Sequence, residues 1–167
     1  MRTTPPSPHT PRAVLLSTDL SCRCDRALDR AVLSAKGWQA RLVALTVVEP
    51  TAASRLDMGH AAWHQARQAA QHIAERRLHA DMARQDMPVA VRVEQGQVTD
   101  KLLEVAAQEA VGLVVTGVAR NEALSRAVLG STVDALVRRS LVPVLVVRER
   151  AWEPYTRVVV ATDFSPD

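Results

Sequence analysis

Four residues in the last third of the chain have types and spacing suited to holding an anion: Gly117, Gly130, Ser131 and Thr132. Gly117 ends an apolar run, "GLVVTG", and a backbone without a side chain lets a ligand approach closely. Farther on, Gly130, Ser131 and Thr132 open an amphipathic segment carrying Val133, Leu136 and Val137. Unpaired N–H groups at such a start, with the helix dipole and two hydroxyls, form an anion site whose natural guest is a phosphate. The same tripeptide is also an ordinary helix cap. Arg120, a bulky cation, stands between the two glycines. Near the N-terminus, Asp19 directly follows the first apolar run, two residues before Ser21. Its carboxylate can accept from an exocyclic amine or a ribose hydroxyl, or it can cap the helix that begins there. Cys22, in the same turn, is a candidate redox-sensitive thiol. His60 and His64 lie four apart, but "HAAWH" lacks the acid of a zinc protease and no carboxylate cluster is near, which favours a solvated helix face. No G-x-S-x-G nucleophile elbow is present.

These residues need elements to position them. "AVLLST" from Ala13 is continuously apolar, as expected of a parallel strand buried on both faces. Ala27, Leu28, Ala31, Val32 and Ala35 then recur at helical spacing until Gly37 supplies the stop. "RLVALTVVEP" is a second buried strand, terminated by Pro50. Leu56 to Gln85 has high helix propensity, with an inward stripe of Ala62, Ala66, Ala69, Ile73 and Met82. Val89 to Glu94 is a short strand broken at Gly96, and Thr99 or Asp100 is positioned to cap a helix carrying Leu102, Leu103, Val105 and Ala106. "GLVVTG" is the fourth strand and "VPVLVV", Val142 to Val147, the fifth; Pro143 suits a sheet edge. Arg138 and Arg139 complement the dipole at the end of the last helix. Strict alternation of strand and helix means right-handed crossovers. The expected fold is α/β, an open, doubly wound, five-stranded parallel sheet with helices on both faces. Such sheets bind ligands beyond the carboxyl ends of their strands where strand order reverses, so the loops after Thr18, Val48 and Thr116 matter most.

The 167 residues, 47% of them hydrophobic, suffice for one domain with a real core. A formal charge of +3 from scattered basic residues is no nucleic-acid footprint, and one Tyr, one Phe and three Trp offer few stacking platforms for bases. The proline-rich start "MRTTPPSPHTPR" has no apolar stretch for a signal peptide and no later run reaches membrane-spanning length, which predicts a cytoplasmic protein. Cys22 and Cys24, separated by Arg23, are too close for an unstrained bridge, and two thiols make a poor zinc site. Residues 1–11 read as a disordered arm and 12–150 as the domain. "VLLSTDLS" at Val14 to Ser21 is echoed by "VVVATDFS" at Val158 to Ser165. The echo predicts that 151–167 is a linker plus the first strand of a second, truncated copy, so that the chain is a piece of a tandem protein.

In combination, the D-x-S after strand one, the "TVVEP" strand end, the "VEQG" before the third helix, the glycine after strand four and the distant Gly-Ser-Thr before "VPVLVV" resemble the universal stress protein family. The resemblance runs from Ala13 to Arg148. Its most specific motif is G-x-x-G, nine residues, then G-S/T. Gly117, Gly130 and Ser131 fill three of its positions, and Arg120 replaces the second glycine. For members that bind ATP, the resemblance implies that Asp19 and the backbone around Val47 hold adenine, with Ser21 also among the nucleotide-binding residues. It places Gly117 near the ribose, and Gly130, Ser131 and Thr132 on the phosphates; Mg²⁺ can accompany the ATP. Arg120 either fills the phosphate pocket or swings out to pair with a phosphate.

The resulting expectation is a stress-response regulatory module with an adenine-nucleotide pocket weakened by Arg120. Nothing in the sequence supplies a general base or a metal cage, so any ATP hydrolysis is expected to be slow. The alternative is a domain without ligand that serves as a dimerisation or interaction scaffold. Both leave the edge "VPVLVV" for a homodimer or an intrachain pseudo-dimer. A related adenine-nucleotide hydrolase would carry S-G-G-x-D-S in the first loop, and "STDLSCRC" has no glycine.

Overall fold

Successive residues of a strand point to opposite faces, and the first strand uses both. Ala13 and Leu15 enter one apolar cluster, Val14 and Leu16 another, all essentially without exposure. This is the reason for its continuous apolar run. The structure is a computed structural model that describes residues 10–49, 60–118, 130–150 and 152–161. The described elements are β1 (Ala13–Ser17), a 3₁₀ turn (Cys22–Cys24), α1 (Asp25–Trp38), β2 (Arg41–Val48), α2 (His60–Met82), β3 (Val89–Gln95), α3 (Val98–Gln108), β4 (Leu113–Gly117), α4 (Ser131–Arg139) and β5 (Val144–Val147).

The five strands form one parallel sheet in the order β3-β2-β1-β4-β5. Leu15 of β1 pairs in register with Val43 on one side and Val114 on the other. One face packs against α1 and α2 through Ala27, Ala31, Ala35, Leu78 and Met82; the other packs against α3 and α4 through Leu102, Val105 and Leu136. This is the doubly wound α/β fold expected. Strand order reverses between β1 and β4, so the two chain exits there diverge to opposite faces and leave a crevice.

Several local readings change. Gly37 lies inside the last turn of α1, and the left-handed cap is Gln39 at φ 55°, whose N–H donates to the carbonyls of Ala35 and Lys36. The inward stripe of α2 is Ala74, Leu78 and Met82; of the expected residues only Met82 is buried, while Ala62, Ala66, Ala69 and Ile73 are exposed. At α3 neither Thr99 nor Asp100 is the cap. Gln97 is, its side-chain oxygen accepting from the Asp100 N–H at 2.8 Å. Thr99 is buried in the first turn and its hydroxyl has no partner among the described residues. Arg138 pairs with Asp134 at 3.0 Å and Arg139 with Asp100 at 2.7 Å, in addition to their place in the helix's last turn. β5 is a sheet edge, as Pro143 implied, and begins one residue after it. The arm at 1–9, Pro50 with the start of the long helix, Arg120, and Thr162 to Ser165 of the echo lie outside the described residues. Of the echo's described part, Val158, Val159 and Val160 are exposed and in no strand.

Candidate functional site between strands one and four

The end of β1 is held from several directions. The Thr18 N–H donates to the Leu45 carbonyl at 3.0 Å, and the Thr46 hydroxyl donates to the Thr18 carbonyl. The Thr18 hydroxyl accepts from the Leu20 N–H at 3.0 Å. Leu20 takes φ 61°, a left-handed conformation that costs a bulky residue about 1 kcal/mol or more. Its side chain packs on the core and its carbonyl accepts from Arg77 at 3.0 Å, so the turn is fixed against that strain. Asp19 precedes it. One carboxylate oxygen of Asp19 accepts from the Ser21 N–H at 2.9 Å and from the Cys24 thiol at 3.1 Å. Asp19 thus closes the turn with its carboxylate and is not a helix cap: the N-cap of the 3₁₀ turn is Ser21 and that of α1 is Cys24.

On the other side of the crevice, β4 ends at buried Gly117, where the Thr116 hydroxyl donates to the Gly117 carbonyl at 3.3 Å. Gly130 caps α4 with φ −57° and ψ 151°, and it makes no side-chain cap hydrogen bond because it has no side chain. The N–H groups of the first turn of a helix have no intrahelical acceptor. Those of α4 open on the crevice, which is a cavity of about 580 Å³. That volume falls within the range of small-molecule pockets, roughly 300–1,000 Å³.

Asp19, Val47, Gly117, Gly130, Ser131 and Thr132 all line this one cavity. Six of the eight residues singled out from the sequence are brought together. Ser21 is not among the lining residues, and its hydroxyl is buried without a partner among the described residues. Arg120 lies outside the described residues. The sequence reading missed Thr18, Leu20, Cys24, Thr46 and Glu49, which also line the cavity. Polar residues at strand ends were the available signal for Thr18, Thr46 and Glu49. Among the described lining residues the charges are two carboxylates, Asp19 and Glu49, and no cation. A phosphate here would depend on backbone N–H groups and the α4 dipole.

The thiol in the cavity is Cys24, and Cys22 is exposed outside it. Burial, the largest effect, pushes the Cys24 thiol above the ordinary thiol range. The folded state therefore favours the protonated form. Its contribution to stability is intact below the usual thiol pKa and is lost as pH rises through the folded value. Replacing Cys24 by Ala is expected to flatten the alkaline fall in stability, and a thiol reagent at pH 8 is expected to label Cys22 first. Equal labelling rates at both cysteines would refute the assignment.

Among the described residues no group of three His, Cys, Asp or Glu side chains could hold a metal, and no helix is long and apolar enough to cross a membrane.

Comparison with known proteins gives relatives of the chain as a whole. The model of the universal stress protein family matches residues 11–148. A universal stress protein UspA from Lactobacillus plantarum is 23% identical, with a TM-score of 0.61 over 81% of this chain and 97% of that one. A universal stress protein solved in complex with cAMP is 26% identical, with a TM-score of 0.58 over 83% and 98%. One from Archaeoglobus fulgidus, in complex with dAMP, is 13% identical, with a TM-score of 0.53 over 81% and 97%. A search of curated protein sequences found no match.

Proposed function

The chain belongs to the universal stress protein family, and from that membership we propose that it is a stress-response regulatory domain that binds an adenine nucleotide, ATP, in the cavity between β1 and β4. The observation that carries this reading is the shared cavity: the carboxylate turn at Asp19 and the start of α4, capped only by glycine, line the same space. The first suits an acceptor role toward an amine or hydroxyl, the second an anion. Gly117 and Val47 supply close backbone between them, and Ser131 and Thr132 add hydroxyls. Ser21 acts by donating its N–H to Asp19, which orients the carboxylate. The relatives solved with cAMP and dAMP support an adenine nucleotide as the ligand class.

Arg120, in place of the motif's second glycine, weakens this binding. A side chain at that position occupies volume that the family motif leaves to backbone and phosphate, and the guanidinium's fork recovers only part of the loss. Mg²⁺, if carried, would come in on the phosphates of the ligand, as this ion commonly does. The domain is a sensor and not an efficient enzyme. It is a cytoplasmic module, N-terminal in a tandem protein whose second copy starts near Arg157, and its edge strand Val142 to Val147 pairs with a second copy, intrachain or in a homodimer. The exposed apolar Leu141 beside β5 favours such cover.

Calorimetric titration of the wild type and an Arg120→Gly variant with ATP and ADP tests the reading. Saturable binding by both is expected, tighter in Arg120→Gly by about tenfold, the equivalent of one charge-assisted contact or clash. Absence of binding in both variants would refute the sensor and leave the scaffold reading.

A further inference from the structure

Arg30, in the second turn of α1, is only 8% exposed. None of the ion pairs among the described residues includes it. Its Nη1 donates to the Glu153 carbonyl at 3.0 Å and its guanidinium lies 3.8 Å from the centre of the Tyr155 ring. Its Nε–H is buried with no acceptor among the described residues. Buried cations are normally paired, because an uncompensated charge and an orphan donor both oppose burial. The adjacent acid, Asp29, is engaged by Arg150 at 2.7 Å. Carbonyl and ring contacts hold the segment 152–155 against α1 without neutralising Arg30.

Arg30 lines a cavity of about 690 Å³ at the carboxyl end of β5, together with Arg26, Arg148, Arg150, Glu149 and Tyr155. It shares no lining residue with the cavity between β1 and β4. Four guanidinium groups meet one lining carboxylate. Arg26 Nη1 donates to the Arg148 carbonyl at 2.6 Å, which fixes one wall and leaves its remaining N–H groups for other acceptors. Planar forks with several donors recognise tetrahedral oxyanions. A buried guanidinium in the wall is reached by a compact anion and not by a long acidic peptide.

We propose that this cavity is a second, separate anion site that takes inorganic phosphate, with the buried Arg30 guanidinium in its wall and Arg26, Arg148 and Arg150 around it. Binding there ties the segment 152–155 to α1, so phosphate fixes the direction in which the chain leaves the domain. This site does not depend on the nucleotide reading.

The test is an NMR titration of the full chain with sodium phosphate at constant ionic strength, following arginine Nε–H and backbone amide resonances. The Arg30 Nε–H signal is identified by its loss in Arg30→Lys. It is expected to shift saturably, together with the Tyr155 amide, and the same response is expected in Gly130→Trp. Arg148→Gln, which retains the backbone carbonyl, is expected to raise the phosphate Kd about tenfold, and this variant serves if Arg30→Lys fails to fold. A linear, unsaturable shift, an unchanged Kd in Arg148→Gln, or a response abolished by Gly130→Trp would each overturn the proposal, the last by assigning the phosphate to the first cavity.

Discussion

Gly130→Trp is expected to abolish ATP binding, with the Kd raised at least about a hundredfold, while the midpoint of thermal unfolding stays within a few degrees. The two halves of this expectation have different causes. Gly130 adopts φ −57° and ψ 151°, a region open to every L-residue, so the backbone does not require glycine for its conformation. What a large side chain would take there is space. The residue lines the cavity next to Ser131 and Thr132 at the start of α4, and an indole there covers the first-turn N–H groups that a phosphate would use. Loss of two charge-assisted hydrogen bonds, each worth about 1.5–3 kcal/mol, gives the hundredfold figure or more. Calorimetry with ATP reads the first half and a thermal melt the second. Unchanged affinity in a folded variant would show that phosphates do not sit at α4, whatever else the cavity holds.

The sheet was legible because its signals were redundant. β1 is apolar at every position from Ala13 to Leu16, as a strand packed on both faces requires. Pro143 sits where a missing N–H does no harm, just outside an edge strand. The cavity followed from the sheet. Once strand order reverses between β1 and β4, the residues after Ser17 and Thr116 meet there whatever their identity. What was not legible depended on local choices with several near-equal solutions. Proximity along the chain put Cys22 beside Asp19, but the 3₁₀ turn brings Cys24 back, its N–H on the Ser21 carbonyl and its thiol on Asp19. Three polar residues, Gln97, Thr99 and Asp100, competed for one cap, and burial of Thr99 against the sheet left the role to Gln97. Gln39 could end α1 in a left-handed conformation although Gly37 was two residues away, because the chain must turn directly into buried Ala40 and β2. In each case packing decided, and packing cannot be read from one stretch of sequence.

The long second helix shows this at its largest. Leu78→Ala is expected to cost about 2–5 kcal/mol of stability, whereas Ile73→Ala is expected to change it by no more than about 0.5 kcal/mol. Alanine and arginine fill so much of α2 that hydrophobicity barely distinguishes its faces, and Ile73, its one β-branched apolar residue, drew the stripe to itself. Adjacent residues on a helix are separated by about 100°. The face through Ala74, Leu78 and Met82, spaced by four, therefore points well away from Ile73. Leu78 is fully enclosed with Ala27, Ala31 and the apolar side of β1 and β2, while Ile73 is 58% exposed. Truncating the enclosed leucine removes its transfer free energy and leaves a cavity that the neighbouring alanines are too small to fill. Against a total stability of roughly 5–15 kcal/mol for a domain of ordinary size, that is a large fraction. Urea denaturation of the two variants separates them cleanly. An Ile73→Ala loss equal to that of Leu78→Ala would mean that α2 is rotated by about one residue on the sheet, which would also move Ala74 out of the cavity that it lines.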